Sequence, residues 1–120
     1  MAKPILCLDF DGVLHSYRSG WKGATIIPDP PVPGAELFVR EASEYFSVQV
    51  YSSRSATPDG RLAMRQWTEQ HMPSVASLII FPSEKPPAFV GLDDRVLLFQ
   101  GVWPNVQELT NFRTWNEKAV

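Results

Sequence analysis

The chain has 120 residues, 44% of them hydrophobic, enough polymer to bury one core and too little for two, so residues 1–120 are expected to form a single domain. A formal net charge of −2 excludes the broad basic field that drives non-specific nucleic-acid binding, leaving room only for a local basic patch. The single cysteine, Cys7, excludes a disulfide framework and reads as a small buried side chain within the apolar run ILCL.

Residues 5–8 form that run, and its continuity fits a strand buried on both faces. Asp9 ends the apolar stretch too soon for a signal peptide or a membrane span, so a cytoplasmic protein without membrane contact is expected. From His15 to Pro31 the chain is polar and rich in Gly and Pro, with Ser19-Gly20 and Lys22-Gly23 as turn pairs around Trp21, which predicts a β-hairpin flap. Pro33 and Gly34 open a helix of about three turns, on which Phe38, Ala42, Tyr45 and Phe46 recur at helical spacing. Residues 47–52 (SVQVYS) read as a second strand. Thr57 caps a second helix with Pro58 at its first position, and the helix runs through Leu62, Ala63, Gln66 and Trp67 to Pro73. Third and fourth strands are expected at residues 78–81 and 88–92. A fifth is expected at residues 96–99, before a last helix entered at Pro104 and carrying Val106, Leu109, Phe112 and Trp115.

Alternating strands and helices predict an α/β fold, a three-layer Rossmann-like arrangement with a mostly parallel sheet and helices on both faces. In such sheets ligands bind beyond the carboxyl ends of the strands. Three polar clusters fall there: Asp9 and Asp11 after the first strand, Ser52 to Arg54 after the second, Asp93 and Asp94 after the fourth. Taken alone, Asp11-Gly12 is an ordinary turn pair and Asp93-Asp94 a solvated one. Gathered at neighbouring strand ends, four carboxylates are costly unless a cation lies among them or one keeps its proton. An all-oxygen set without sulfur or histidine selects magnesium over zinc. Adding Ser52 and Lys85 supplies the hydroxyl and the positive charge that phosphoryl transfer needs.

DFDGV, the serine of YSSR, the lysine of SEKPPA and the acidic pair of GLDDR resemble, in that order, the four motifs of the haloacid dehalogenase superfamily of phosphohydrolases. The resemblance spans residues 5–99 and leaves the C-terminal helix outside it. It implies that Asp9 attacks phosphorus and becomes a phosphoaspartyl group, and that Asp11 protonates the leaving oxygen and then activates water. Ser52 would bind a phosphoryl oxygen, and Lys85 would neutralise charge beside Asp9. Mg2+ would be held by the Asp9 carboxylate, the Asp11 backbone carbonyl and Asp93, with Asp94 as a direct or water-mediated ligand. Two departures stand out. Only two prolines and an alanine separate Lys85 from the fourth strand, so the helix usual there is missing or a single turn. Ser53 offers a second hydroxyl beside Ser52.

Between Asp11 and Ser52, and again between Ser52 and Lys85, no residues remain for a cap domain once the helices and strands are subtracted. The capless site is therefore expected to take a large phosphorylated substrate, such as a nucleic-acid end or nucleotide, a phosphoprotein or a bulky glycan phosphate, or to be closed by a partner chain. Gly12, Ser53, Arg54, His15 and Trp21 are the candidate substrate-binding residues, with Trp21, beside Tyr17, Arg18 and Lys22, able to stack on a base. His15 has an alternative as a histidine satisfying loop carbonyls, and Arg54 as a solvated arginine. A phosphorelay receiver uses similar residues but carries its phosphoacceptor at the third strand, which here ends in Phe81-Pro82; a non-catalytic phosphate-binding module is the other alternative.

Overall fold

The computed structural model describes residues 2–118. Four parallel strands, β1 (Ile5–Leu8), β2 (Ser47–Val50), β3 (Ile79–Ile80) and β4 (Val90–Leu92), lie in the order β3-β2-β1-β4. Helix α1 (Ala35–Ala42) joins β1 to β2, and α2 (Pro58–His71) leads toward β3. The registers Leu6↔Val48, Leu8↔Val50 and Val48↔Ile79 bring same-parity residues into line across the sheet. Because side chains alternate along a strand, these apolar residues share one face. That face is the core: Leu6, Leu8, Val48, Val50 and Ile79 are buried together with Val39 of α1 and Met64 and Trp67 of α2. Burial of each such side chain contributes about 1.5–3 kcal/mol.

The opposite face differs from expectation. Both crossovers step the same way across the sheet, and the right-handed rule then places α1 and α2 on one side. The β3-to-β4 connection, residues 81–89, which would cover the other side, contains no helix and carries Pro82, Pro86 and Pro87. Among the described residues the sheet therefore has helical cover on one face only, rather than the predicted two. Ile5 and Cys7 are half-buried there, so β1 is fully buried on a single face, and Phe89 is 75% exposed.

Other elements differ in extent. Helix α1 has 8 residues and buries Ala35, Val39 and Ala42; of the predicted face, Ala42 is in the core and Phe46, beyond the helix, packs against it, whereas Phe38 and Tyr45 are exposed. Helix α2 begins as its sequence predicts, with the Thr57 hydroxyl accepting the Gly60 N–H and Pro58 in the first turn. The predicted flap is a loop: its antiparallel pairing is confined to His15 and Pro31. No strand forms at residues 96–99, where Leu98 is 84% exposed, because no core reaches them. The last helix is two short ones, α3 (Val106–Leu109) and α4 (Trp115–Lys118). Asn105 caps α3 by accepting the Gln107 and Glu108 N–H groups. No described helix is long and apolar enough to cross a membrane.

Candidate functional site

The carboxyl ends of β1, β2 and β4 converge. Asp9 leaves β1 with its N–H donating to the Leu92 carbonyl at 2.9 Å, so the first and fourth strands stay paired up to the first acidic residue. The chain then turns sharply: the Phe10 carbonyl accepts the N–H groups of Val13, Leu14 and His15 at 3.3, 3.0 and 2.9 Å. Gly12 makes the turn possible with φ +84°, and a Cβ there would overlap the Asp94 carboxylate. Gly12, predicted to bind substrate, is thus buried and leaves the space in which Asp94 sits.

Carboxylate oxygens of Asp9, Asp93 and Asp94 lie within 4.8 Å of one another. Burial first, and then the Asp93 and Asp94 charges, push Asp9 up to about 7 against the pull of the Phe10 N–H bond. Asp94 is raised as well, chiefly by burial. The Asp93 carboxylate accepts the Arg95 N–H at 2.8 Å, whereas Asp94 Oδ1 is buried without a hydrogen-bond donor. A hard divalent cation fits this donor set, since it would neutralise the crowded charge and give the orphaned oxygen a partner.

The side chain of Asp11 belongs to a different network. It accepts from Arg54 Nε at 3.0 and 3.2 Å and lies 2.9 Å from His15 Nδ1. Arg54 is 0% exposed, and its Nη1 donates to the carbonyls of Gly23, Ala24 and Ile26 at 2.8, 2.9 and 3.3 Å. Its guanidinium also lies 4.7 Å from the ring centroid of Trp21. The predicted substrate contact is therefore a buried clamp that ties the 23–26 loop to Asp11. His15, also 0% exposed, is likewise removed from substrate; its Nε2 accepts the Asp29 N–H at 3.1 Å, and the Asp29 carbonyl accepts the Trp67 indole N–H at 3.0 Å. Loop, imidazole and α2 are locked together beneath Asp11.

Ser52, two residues beyond β2, caps a 3-10 turn, residues 53–56, its hydroxyl accepting the Arg54 N–H at 3.0 Å and its N–H donating to Ser55 Oγ at 3.1 Å. A cleft of about 640 Å³ gathers Asp9, Asp11, Ser52, Ser53, Asp94 and Trp21. Lys85 lies elsewhere, in a second cleft of about 610 Å³ that it shares with Asp9, Ser52 and Asp93. It is exposed and has no ion pair among the described residues. Asp9 and both serines line both clefts, so the predicted residues surround Asp9 from two sides.

Several residues of the first cleft had little or no signal in the sequence. Tyr17, read there only as a stacking group, has φ 58°, a left-handed backbone that is uncommon for a non-glycine residue, and burial raises its phenol above the usual range. Arg95 follows the acidic pair of GLDDR and was given no role there. Thr114, Asn116 and Glu117 come from the far end of the chain, and no spacing connects them with DFDGV. Searches against protein families, curated proteins and solved structures find no match to this chain.

Proposed function

We propose that the chain is a capless, magnesium-dependent phosphomonoester hydrolase of the haloacid dehalogenase type. The observation that carries this reading is the Asp9, Asp93, Asp94 cluster at the carboxyl ends of adjacent parallel strands, with Asp94 Oδ1 buried and lacking a donor. When bound there, Mg2+ supplies charge neutralisation to the phosphoryl oxygens and keeps Asp9 ionised. Asp9 attacks phosphorus, the bond to the leaving oxygen breaks, and that oxygen takes a proton from Asp11. Water then attacks the phosphoaspartyl group, giving its proton to Asp11, and phosphate departs with Asp9 restored. Ser53 lines the cleft where its hydroxyl can donate to a phosphoryl oxygen, Ser52 would have to turn its hydroxyl away from Met64 Sδ to do the same, and Lys85 adds positive charge from the second cleft.

Arg54 Nε holds the Asp11 carboxylate at 3.0 Å, so proton transfer to the leaving oxygen requires the Asp11 side chain to turn out of that contact. The same contact favours a second reading, a non-catalytic phosphate-binding module in which Asp11 is purely structural. Hydrolysis of 4-nitrophenyl phosphate separates the two. A hydrolase shows turnover that requires Mg2+ and falls by about a thousandfold or more in Asp9→Asn and Asp11→Asn. Turnover that survives both substitutions sinks the mechanism, and phosphate binding without turnover selects the module.

A further inference from the structure

We propose that residues 114–117 form the second wall of the substrate cleft, and that Asn116 contacts the leaving group of a phosphomonoester whose bulky, planar leaving group lies between Asn116 and Trp21. The inference rests on the reading of this cleft as the phosphoester site and extends it to a segment outside the four motifs. Thr114, Asn116 and Glu117 line the same cleft as Asp9, Asp11 and Trp21. The segment is fastened in place: the Trp115 indole N–H donates to the Gly12 carbonyl at 2.8 Å, joining the turn after Asp9 to a residue 103 positions later. It is also internally fixed, because Thr114 is buried, its Oγ1 donates to Asn116 Oδ1 at 2.5 Å, and its N–H donates to Glu117 Oε2 at 3.3 Å.

Thr114 Oγ1 holds one end of the Asn116 amide. Its oxygen is occupied by Thr114, and its nitrogen donates to no acceptor among the described residues, so two N–H groups remain for a ligand. Trp21, which lines the same cleft, is half exposed and stacked against Arg54, which gives the cleft a fixed aromatic surface. A cleft of about 640 Å³ holds a ligand much larger than phosphate itself. The segment thus encloses the leaving group in the absence of a cap.

The test compares binding of methylphosphonate and phenylphosphonate, neither of which can be hydrolysed, by calorimetry in Mg2+. Asn116→Ala and Trp115→Phe are expected to weaken phenylphosphonate by about fivefold to tenfold more than they weaken methylphosphonate, the scale of one lost hydrogen bond. The indole 15N resonance of Trp115, assigned by its loss in Trp115→Phe, is expected to shift with phenylphosphonate. Equal weakening of both ligands, no weakening, or an unmoved Trp115 resonance overturns the proposal, as does failure of the intact protein to bind phenylphosphonate. A protein that binds these ligands as expected yet hydrolyses no phosphoester retains the wall and loses the enzyme reading.

Discussion

His15 Nδ1 lies 2.9 Å from Asp11 Oδ1 while its Nε2 accepts the Asp29 N–H at 3.1 Å, so the proton of the neutral imidazole sits on Nδ1 and points at Asp11. A backbone N–H can only donate, and this fixes the tautomer without reference to the ring's own chemistry. The 15N shifts of the His15 ring are expected to be those of the Nδ1–H tautomer. An Nε2–H pattern would show that the Asp29 bond does not form.

Gly12 and Asp94 make a second prediction. Gly12→Ala combines a left-handed backbone with overlap against a carboxylate of the acidic cluster. The substitution is expected to cost about 1–3 kcal/mol of stability and to weaken Mg2+ binding, because Asp94 must move. Urea denaturation with and without Mg2+ measures both effects; a fully stable variant with unchanged metal affinity contradicts the packing described here.

Arg54 is expected to tolerate no replacement. Arg54→Ala removes the charged partner of the largely buried Asp11 carboxylate, leaving it only His15, and takes the side-chain donor from the loop carbonyls, at a cost of about 3–5 kcal/mol. Arg54→Lys is not a rescue, since an ammonium cannot span Asp11 and the carbonyls as a planar fork does. Hydrogen exchange at residues 23–26 should accelerate in both variants, and unchanged protection there would refute the clamp.

Asp9 makes stability depend on pH. Its carboxyl rises from 3.8 to about 7 in the folded protein, so the folded state keeps a proton that the unfolded chain has released. The stabilisation from this group is complete below about pH 4 and is lost as the pH rises through about 7. In EDTA, the stability difference between the wild type and Asp9→Asn is therefore expected to shift against the wild type across that window. Mg2+ should reverse the trend at the alkaline end. A difference that stays flat between pH 4 and 8 contradicts the burial described for Asp9.

Much of the sheet was legible because β1 is an apolar run and β2 alternates polar with apolar residues, and the end of β1 was marked by Asp9 itself. The start of α2 was equally legible, since Thr57 and Pro58 act locally and need no tertiary context. Helix α1 was harder: Phe38 and Tyr45 are large and apolar at helical spacing, yet smaller residues face the sheet, and size is a poor guide to which face is buried. Strand pattern failed at residues 96–99 because an apolar run becomes a strand only where an edge accepts it. The roles of Arg54 and His15 were hidden for a different reason. Adjacent motifs place them at the site, but whether they face ligand or loop depends on carbonyls more than twenty residues away in the chain from Arg54, and on the Asp29 N–H.

The acidic cluster joins the end of the first strand to the end of the last, and β4 is otherwise an edge of three exposed residues paired only with β1. A cation bound there would be a reversible crosslink closing a loop that encloses most of the chain, comparable in topology to a disulfide but governed by chelation instead of redox chemistry. Removing it loosens β4 and everything hung from it, including the residues that reach back to Gly12. Resistance of the 93–113 stretch to limited proteolysis would then report metal occupancy, with no substrate present at all.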